Sequence, residues 1–256
     1  MEKKYILTDE IREFNGKILH RIQAVRDFDN VKTGDLGGWI EKEENLSHGG
    51  NCWIAGNAKV YGNALVYDNA LVNGCAQVYD NVQISGNALI QGYALVSGNA
   101  LVHGNAQVYD NALVSGYAQV YDNAIICEEM LVSYSKIDTD LRTDIVASLR
   151  GQCNLLLIKN KVIAYKIVNR NLTSLFDKNF VYKIGEIAEV KNPDKSHTSC
   201  GSGLHFSNLT YWDDKVQKYK DKTYLVAEIN VEDIITIQRG KIRCKKAKIL
   251  DKVDIQ

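Results

Sequence analysis

From residue 51 to about residue 132 the chain repeats one six-residue pattern almost without interruption. Valine or isoleucine falls at Ile54, Val60, Val66, Val72, Val78, Ile84, Ile90, Val96, Val102, Val108, Val114, Val120, Ile126 and Val132. Alanine stands two residues before most of these, as at Ala58, Ala64 and Ala70, and a Gly-Asn or Asp-Asn pair separates hexads, as at Gly62-Asn63 and Asp68-Asn69. Such a period is neither that of a helix nor that of an ordinary hairpin. Side chains alternate along a strand, so the Ala and Val of one hexad share a face and the residue between them points out. Glycine, asparagine and aspartate tolerate the left-handed backbone that a tight corner demands. A short strand and a corner, repeated, make a solenoid whose successive turns hydrogen-bond to one another.

This run resembles the hexapeptide repeat of left-handed parallel β-helices, in which three hexads form one triangular coil. The expected fold is therefore mainly β: an N-terminal cap over 1–50, a left-handed parallel β-helix over 51–134, a linker helix over 135–152 and a C-terminal α+β, mostly β, recognition domain over 153–256. Ile40 and Leu46 are already six apart while Leu46 and Ile54 are eight apart. The spiral is thus expected to begin near Leu36, with an extra bend at His48-Gly49-Gly50. Strands at Tyr5-Ile6-Leu7 and from Ile18 to Val25 are expected to cover the first coil, whose open edge otherwise invites aggregation. Thr139-Asp140-Leu141 opens a helix carrying Leu141, Ile145 and Leu149 and ending at Gly151. Beyond it the pattern predicts strands at 155–158, 162–168, 180–184, 224–229, 233–237 and 248–250, and a short helix near 212–219.

The formal net charge of zero averages two unlike regions. Residues 51–126 hold one base, Lys59, and the four acids Asp68, Asp80, Asp110 and Asp122. Residues 151–256 hold 19 Lys and Arg against 12 Asp and Glu, a surplus that suits an anionic partner. No apolar run approaches the roughly 20 residues that span a bilayer, and the start lacks the apolar core of a signal peptide. Six cysteines without a CxxC pair point to free thiols in a reducing cytoplasm.

The outward residue of the hexads is often leucine, and at eighteen residues per coil Leu95, Leu113 and Leu131 stack on one side, as do Trp53, Leu71 and Leu89 on another. Exposed leucine in this quantity marks an interface. A homo-oligomer, a trimer packed through prism faces as in the resembled family, is the expectation.

The wording Gly34-Asp35-Leu36-Gly37-Gly38-Trp39-Ile40-Glu41 resembles hexapeptide-repeat proteins of phages and prophages. Ala164-Tyr165-Lys166, Tyr182-Lys183-Ile184-Gly185, Cys200-Gly201-Ser202-Gly203-Leu204-His205 and Gly240-Lys241-Ile242-Arg243-Cys244 are similar to a phage-encoded domain that follows repeat arrays. The resemblance covers nearly the whole chain and implies a host-cell setting.

Many hexapeptide-repeat proteins transfer acyl groups from coenzyme A with a histidine base on a loop that interrupts the prism. Here residues 51–132 run without insertion, and their one histidine, His103, is expected at a solvated corner. The prism thus looks like a scaffold and the chemistry belongs to the C-terminal domain. There Gly201 and Gly203 would let backbone N–H groups approach an anion beside Cys200 and His205. Lys241, Arg243, Lys245, Lys246 and Lys248 alternate with apolar residues, as along one basic strand face that suits a nucleotide or nucleic acid. Cys200, Gly201, Gly203, His205, Lys241 and Arg243 are the candidate ligand-binding residues. His197, Cys200, His205 and Cys244 are nitrogen and sulfur ligands of the kind zinc accepts, without the usual spacing. No catalytic residue, resident metal or cofactor is assigned. The expected function is an oligomeric scaffold that presents a recognition domain, capturing a host protein or an anionic nucleotide signal of antiviral defence. An acyl- or nucleotidyl-type transferase and a structural assembly component are the alternatives.

Overall fold

Every sixth residue from Gly50 to Glu128 has a positive φ, so the corners of the repeat are left-handed without exception across the array. Glycine holds most of these positions, and aspartate takes the place at Asp68, Asp80, Asp110 and Asp122. Corners stack so closely that a Cβ on Gly98 would lie 2.8 Å from the backbone nitrogen of Gly116. The corner aspartates offset their strained backbone with a bond to the next coil: Asp80 Oδ2 accepts from the N–H of Gly98 at 2.9 Å and Asp68 Oδ2 from that of Gly86 at 3.1 Å.

The computed structural model describes residues 2–196, 201–216 and 222–254. The chain divides into two units, Met1–Thr143 and Asp144–Gln256. In the first, two-residue strands pair in parallel with strands one coil on, as Leu95 with Leu113 and Leu113 with Leu131. They form the three faces of a parallel β-helix, six rungs on one face and five on each of the others. Inside, the alanines and the valines or isoleucines of the hexads are buried. Outside, Asn63, Asn81 and Asn99 form a side-chain ladder at one corner, with amide-to-amide distances of 3.1 and 3.0 Å. The spiral begins at Leu36–Ile40: Ile40 pairs with Val60 and Leu46 bridges Val66. The two residues beyond the regular coil lie in the bend around His48-Gly49-Gly50.

The first strand of the cap is longer than expected. Tyr5–Phe14 and Lys17–Ala24 form an antiparallel hairpin that continues the first face. Its turn is Asn15-Gly16, both at positive φ, the conformation that matches the twist of two-residue hairpins. Beneath it Lys4 is fully buried, and its Nζ donates to the carbonyl of Cys52 at 2.7 Å and contacts Cys52 Sγ at 3.1 Å. Its amine thus satisfies carbonyls of the extra bend, to which no preceding coil donates N–H groups in the regular way.

At the other end the spiral runs on where a helix was expected. Thr139 and Leu141 hydrogen-bond to Ile125 as rungs do. The helix is Ile145–Cys153, capped by Asp144, whose carboxylate accepts from Ala147 N–H at 2.8 Å, and Gly151 lies inside it. Asn154 ends it in the left-handed conformation.

The second unit holds two antiparallel sheets. The larger has the spatial order Leu157–Ile158, Lys161–Asn169, Lys222–Asn230, Lys246–Asp254, Ile187–Glu189. The smaller has the order Leu204–Phe206, Lys241–Cys244, Ile234–Gln238. A bridge between Tyr165 and Ser207 joins them. The core between them includes Leu149, Val162, Ala164, Phe206, Leu225, Ile242 and Cys244. The helix Leu209–Val216 packs on the strand Lys161–Asn169, and part of the helix expected near 212–219 lies outside the described residues.

Two expectations are corrected here. Residues 180–184 form no strand beyond the single bridge of Val181 to Thr173, because Phe180 closes a turn onto Asp177 and Tyr182 folds into the core. The bases from Lys241 to Lys248 do not share one strand face. The chain breaks at Lys245 and the two halves enter different sheets, with Arg243 buried and Lys246 paired to Glu189 at 3.5 Å.

Candidate functional site

Along the strand Lys161–Asn169, Val162, Ala164, Lys166 and Val168 share the inward face. Three of them are apolar core residues, and the fourth carries an amine. Lys166 is only 6% exposed, and its Nζ donates to the carbonyl of His205 at 3.2 Å. The rings of Tyr182 and Phe206 lie 5.7 and 5.9 Å from Nζ. Burial, with the nearby charge of Lys241 adding to it and Cys244 opposing it, brings the Lys166 pKa down to about 8.

Lys166 lines a cavity of about 610 Å³ in the second unit. Its lining includes five aromatic residues, Phe176, Phe180, Tyr182, Tyr211 and Trp212. The indole of Trp212 is fixed by its N–H, which donates to the carbonyl of Tyr165 at 2.7 Å. Phe176 stands on the loop between Asn169 and Val181 and is 88% exposed. The lining also contains Gly201, Ser202, Gly203, Leu204, His205 and Lys241.

Arg243 supports His205. It pairs with His205 across the small sheet and is buried. Its Nη1 donates to the carbonyls of Asp194 and Ser196 at 2.9 and 2.8 Å, and its Nε to Nε2 of His205 at 3.4 Å. An acceptor at Nε2 leaves the ring proton on Nδ1 and the imidazole neutral. Burial first, then the charges of Lys166, Lys241 and Arg243, lower the His205 pKa to about 4, against a hydrogen bond to the backbone of Gly203. His205 is therefore a neutral strut between Gly203 and Arg243, and the chemistry of a general base is closed to it as it stands.

Of the candidate residues, Gly201, Gly203, His205 and Lys241 line this cavity and Arg243 bonds to His205, while Cys200 and His197 lie outside the described residues. The reason for the glycines differs from the one expected. A Cβ on Gly201 would fall on the carboxylate of Asp194, and one on Gly203 would lie 2.6 Å from Cγ of Arg243. The space is taken by the protein's own side chains. The expected zinc donors do not converge in the part described. Cys244 pairs with Leu204 and enters the core, on the opposite sheet face from His205, and burial raises its thiol pKa. Among the described residues no group of three His, Cys, Asp or Glu is placed to hold a metal ion. Lys166, Phe176, Tyr182 and Trp212 were not singled out from the sequence as site residues. The inward parity of Lys166 between Ala164 and Val168 was the available signal.

In the β-helix, His103 is an exposed corner residue stacked on Tyr121, with ring centroids 5.5 Å apart. Among the described residues no helix is long and apolar enough to cross a membrane.

Residues 162–256 match a family described as "Domain of unknown function (DUF7666)", which spans the strand bearing Lys166 and all of the cavity. Residues 58–74, 82–98 and 106–121 match the YdcK beta solenoid repeat. An uncharacterized acetyltransferase, YdcK of Escherichia coli (strain K12), is 40% identical to this chain over 60 residues. That stretch is 20% of this chain and 18% of the relative, so the chain spans under a fifth of the curated relative it matches.

Proposed function

We propose that the β-helix is a scaffold and that the C-terminal unit captures a small anionic ligand bearing an aromatic ring, a nucleotide in the simplest case. The observation that carries this reading is the buried amine of Lys166 in the wall of an aromatic-lined cavity. Among the described residues, the acceptor for that amine is a backbone carbonyl and its charged neighbour is another lysine. A buried cation in such surroundings gains most from an anion that enters beside it. The volume of about 610 Å³ falls in the range of small-molecule sites. Lys191 and Lys241 add positive charge to the lining, against Asp177 and Glu189. The exposed ring of Phe176 and the buried rings of Tyr182 and Trp212 in the same lining suit stacking on a base.

With the phage-type wording of the sequence, the ligand fits an anionic nucleotide signal of antiviral defence. Capture rather than turnover accords with a His205 whose ring nitrogens are engaged. The leucine columns support an oligomer, a trimer in our reading, which multiplies binding sites on one particle. Isothermal titration of the full chain with mononucleotides, dinucleotides and cyclic oligonucleotides tests the proposal. Saturable heat with any of them, lost in Lys241→Glu, supports it. No heat with any of them sinks it.

One observation favours acyl transfer instead, namely the likeness of the repeats to a relative named as an acetyltransferase. Against it stand the uninterrupted prism and the stacking of His103 on Tyr121. A rise in melting temperature with coenzyme A, abolished in His103→Ala, would turn the reading toward acyl transfer.

A further inference from the structure

Lys166 has a feature that charge pairing alone does not use. Its nitrogen projects from a core strand between two ring faces, holds one carbonyl at 3.2 Å and borders open space. A guanidinium would present delocalised charge here and a methionine would pack, but a primary amine also carries a nucleophilic lone pair. The neighbouring cation Lys241, in the same lining, disfavours a further positive charge at this nitrogen. Burial against the rings acts in the same direction.

We infer that Lys166 is a reactive amine that condenses with an aldehyde group of a small ligand also carrying a phosphate or carboxylate, forming an imine in the cavity. The nitrogen lone pair attacks the carbonyl carbon, a C–N bond forms, and a nitrogen proton passes to the oxygen to give a carbinolamine. Loss of that oxygen as water, with the second nitrogen proton, leaves the C=N bond. No oxidant or reductant is consumed. The His205 carbonyl orients the amine by accepting one of its N–H groups, and the anionic group of the ligand lies toward Lys241. This inference rests on the cavity being the ligand site, and it adds a covalent step to capture.

Pyridoxal 5′-phosphate, an aromatic aldehyde with a phosphate, is a suitable probe on the full chain. The protein is incubated with less than one equivalent, the imine is reduced with borohydride, and the label is located by peptide mass spectrometry. The expected result is label at Lys166 on the order of tenfold above that at exposed lysines such as Lys178 and Lys195, since an amine of depressed pKa is far more often unprotonated at neutral pH. Lys166→Arg should abolish that label and leave the surface background. Label spread over exposed lysines with Lys166 bare would overturn the inference, and that outcome is read on the unmutated protein, whether or not the variant folds. Nucleotide titration separates the two readings: label at Lys166 with no nucleotide heat keeps the amine chemistry and removes the nucleotide. Nucleotide heat with an unlabelled Lys166 does the reverse.

Discussion

Arg243 Nε donates to Nε2 of His205 at 3.4 Å, so the guanidinium adds to the burial that keeps the histidine neutral. The His205 pKa of about 4 lies below its unfolded value near 6.5. Between these values the unfolded chain binds more protons, so stability is complete above about pH 6.5 and declines as pH falls toward 4. At about 1.4 kcal/mol per pKa unit the decline should reach up to roughly 3 kcal/mol, less the screening that solvent gives a partly exposed ring. Urea unfolding of the wild type and His205→Gln at pH 7 and pH 4.5 measures it. Equal losses in both proteins would show that His205 is not the group responsible.

Arg243 itself is held by two loop carbonyls, at Asp194 and Ser196. Arg243→Met removes the donor to those carbonyls, at a cost of about 2–5 kcal/mol. The histidine should then titrate closer to 6.5, which its ring-proton chemical shifts would report. A His205 pKa unchanged in the variant would mean that burial and the charges of Lys166 and Lys241 set it without Arg243.

Lys166 gives a pH signature of the same sign in a more alkaline window. Its pKa of about 8 lies below the usual lysine value, so the unfolded chain holds more protons between pH 8 and about 10.5 and stability rises through that window. Lys166→Met should be more stable than wild type at pH 7 by up to roughly 3 kcal/mol, again at about 1.4 kcal/mol per unit. The advantage should fade by pH 10.5. Parallel pH profiles for the two proteins, in denaturant unfolding, would contradict a depressed amine at this position.

These residues show where reading the chain works and where it stops. The hexads are legible because a left-handed corner every sixth residue restricts sequence at each turn, so Gly50 to Glu128 announce the coil. The Asn15-Gly16 hairpin was equally legible, yet the charged run from Asp9 to Glu13 masked the long first strand, which lies largely exposed. Lys166 betrays itself by parity, whereas the burial of Arg243 does not. What stabilises it are carbonyls 47 and 49 residues away, on a loop whose path no local pattern encodes. Gly201 and Gly203 do signal close approach; that Asp194 and Arg243 occupy the space is a tertiary fact.

A corner test follows from the stacked backbone. Gly98 has a φ of 72°, and a Cβ there would meet Gly116 N at 2.8 Å. Gly98→Ala should therefore cost more than the 1–2 kcal/mol of the left-handed backbone alone. Gly98→Asp should cost about 1 kcal/mol less than the alanine, because its carboxylate can accept the Gly116 N–H as Asp80 accepts that of Gly98. Thermal unfolding of the two variants decides the order. If alanine is the milder change, inter-coil bonding of the corner aspartates contributes nothing.

Leu95, Leu113 and Leu131 are in register on adjacent rungs of one face and are each partly exposed. In an isolated chain, Leu113→Glu would be a surface change worth within about 0.5 kcal/mol. In the oligomer proposed above, the same carboxylate would be buried against a neighbouring apolar face, where an unpaired charge is not tolerated. Light scattering on a sizing column should thus show the wild type at a multiple of the chain mass and Leu113→Glu at the mass of a single chain. Gln107→Glu on another face serves as the control that keeps the wild-type mass. A wild type that elutes as a monomer removes the leucine-face interface, and a variant that remains oligomeric moves the interface to another face of the prism.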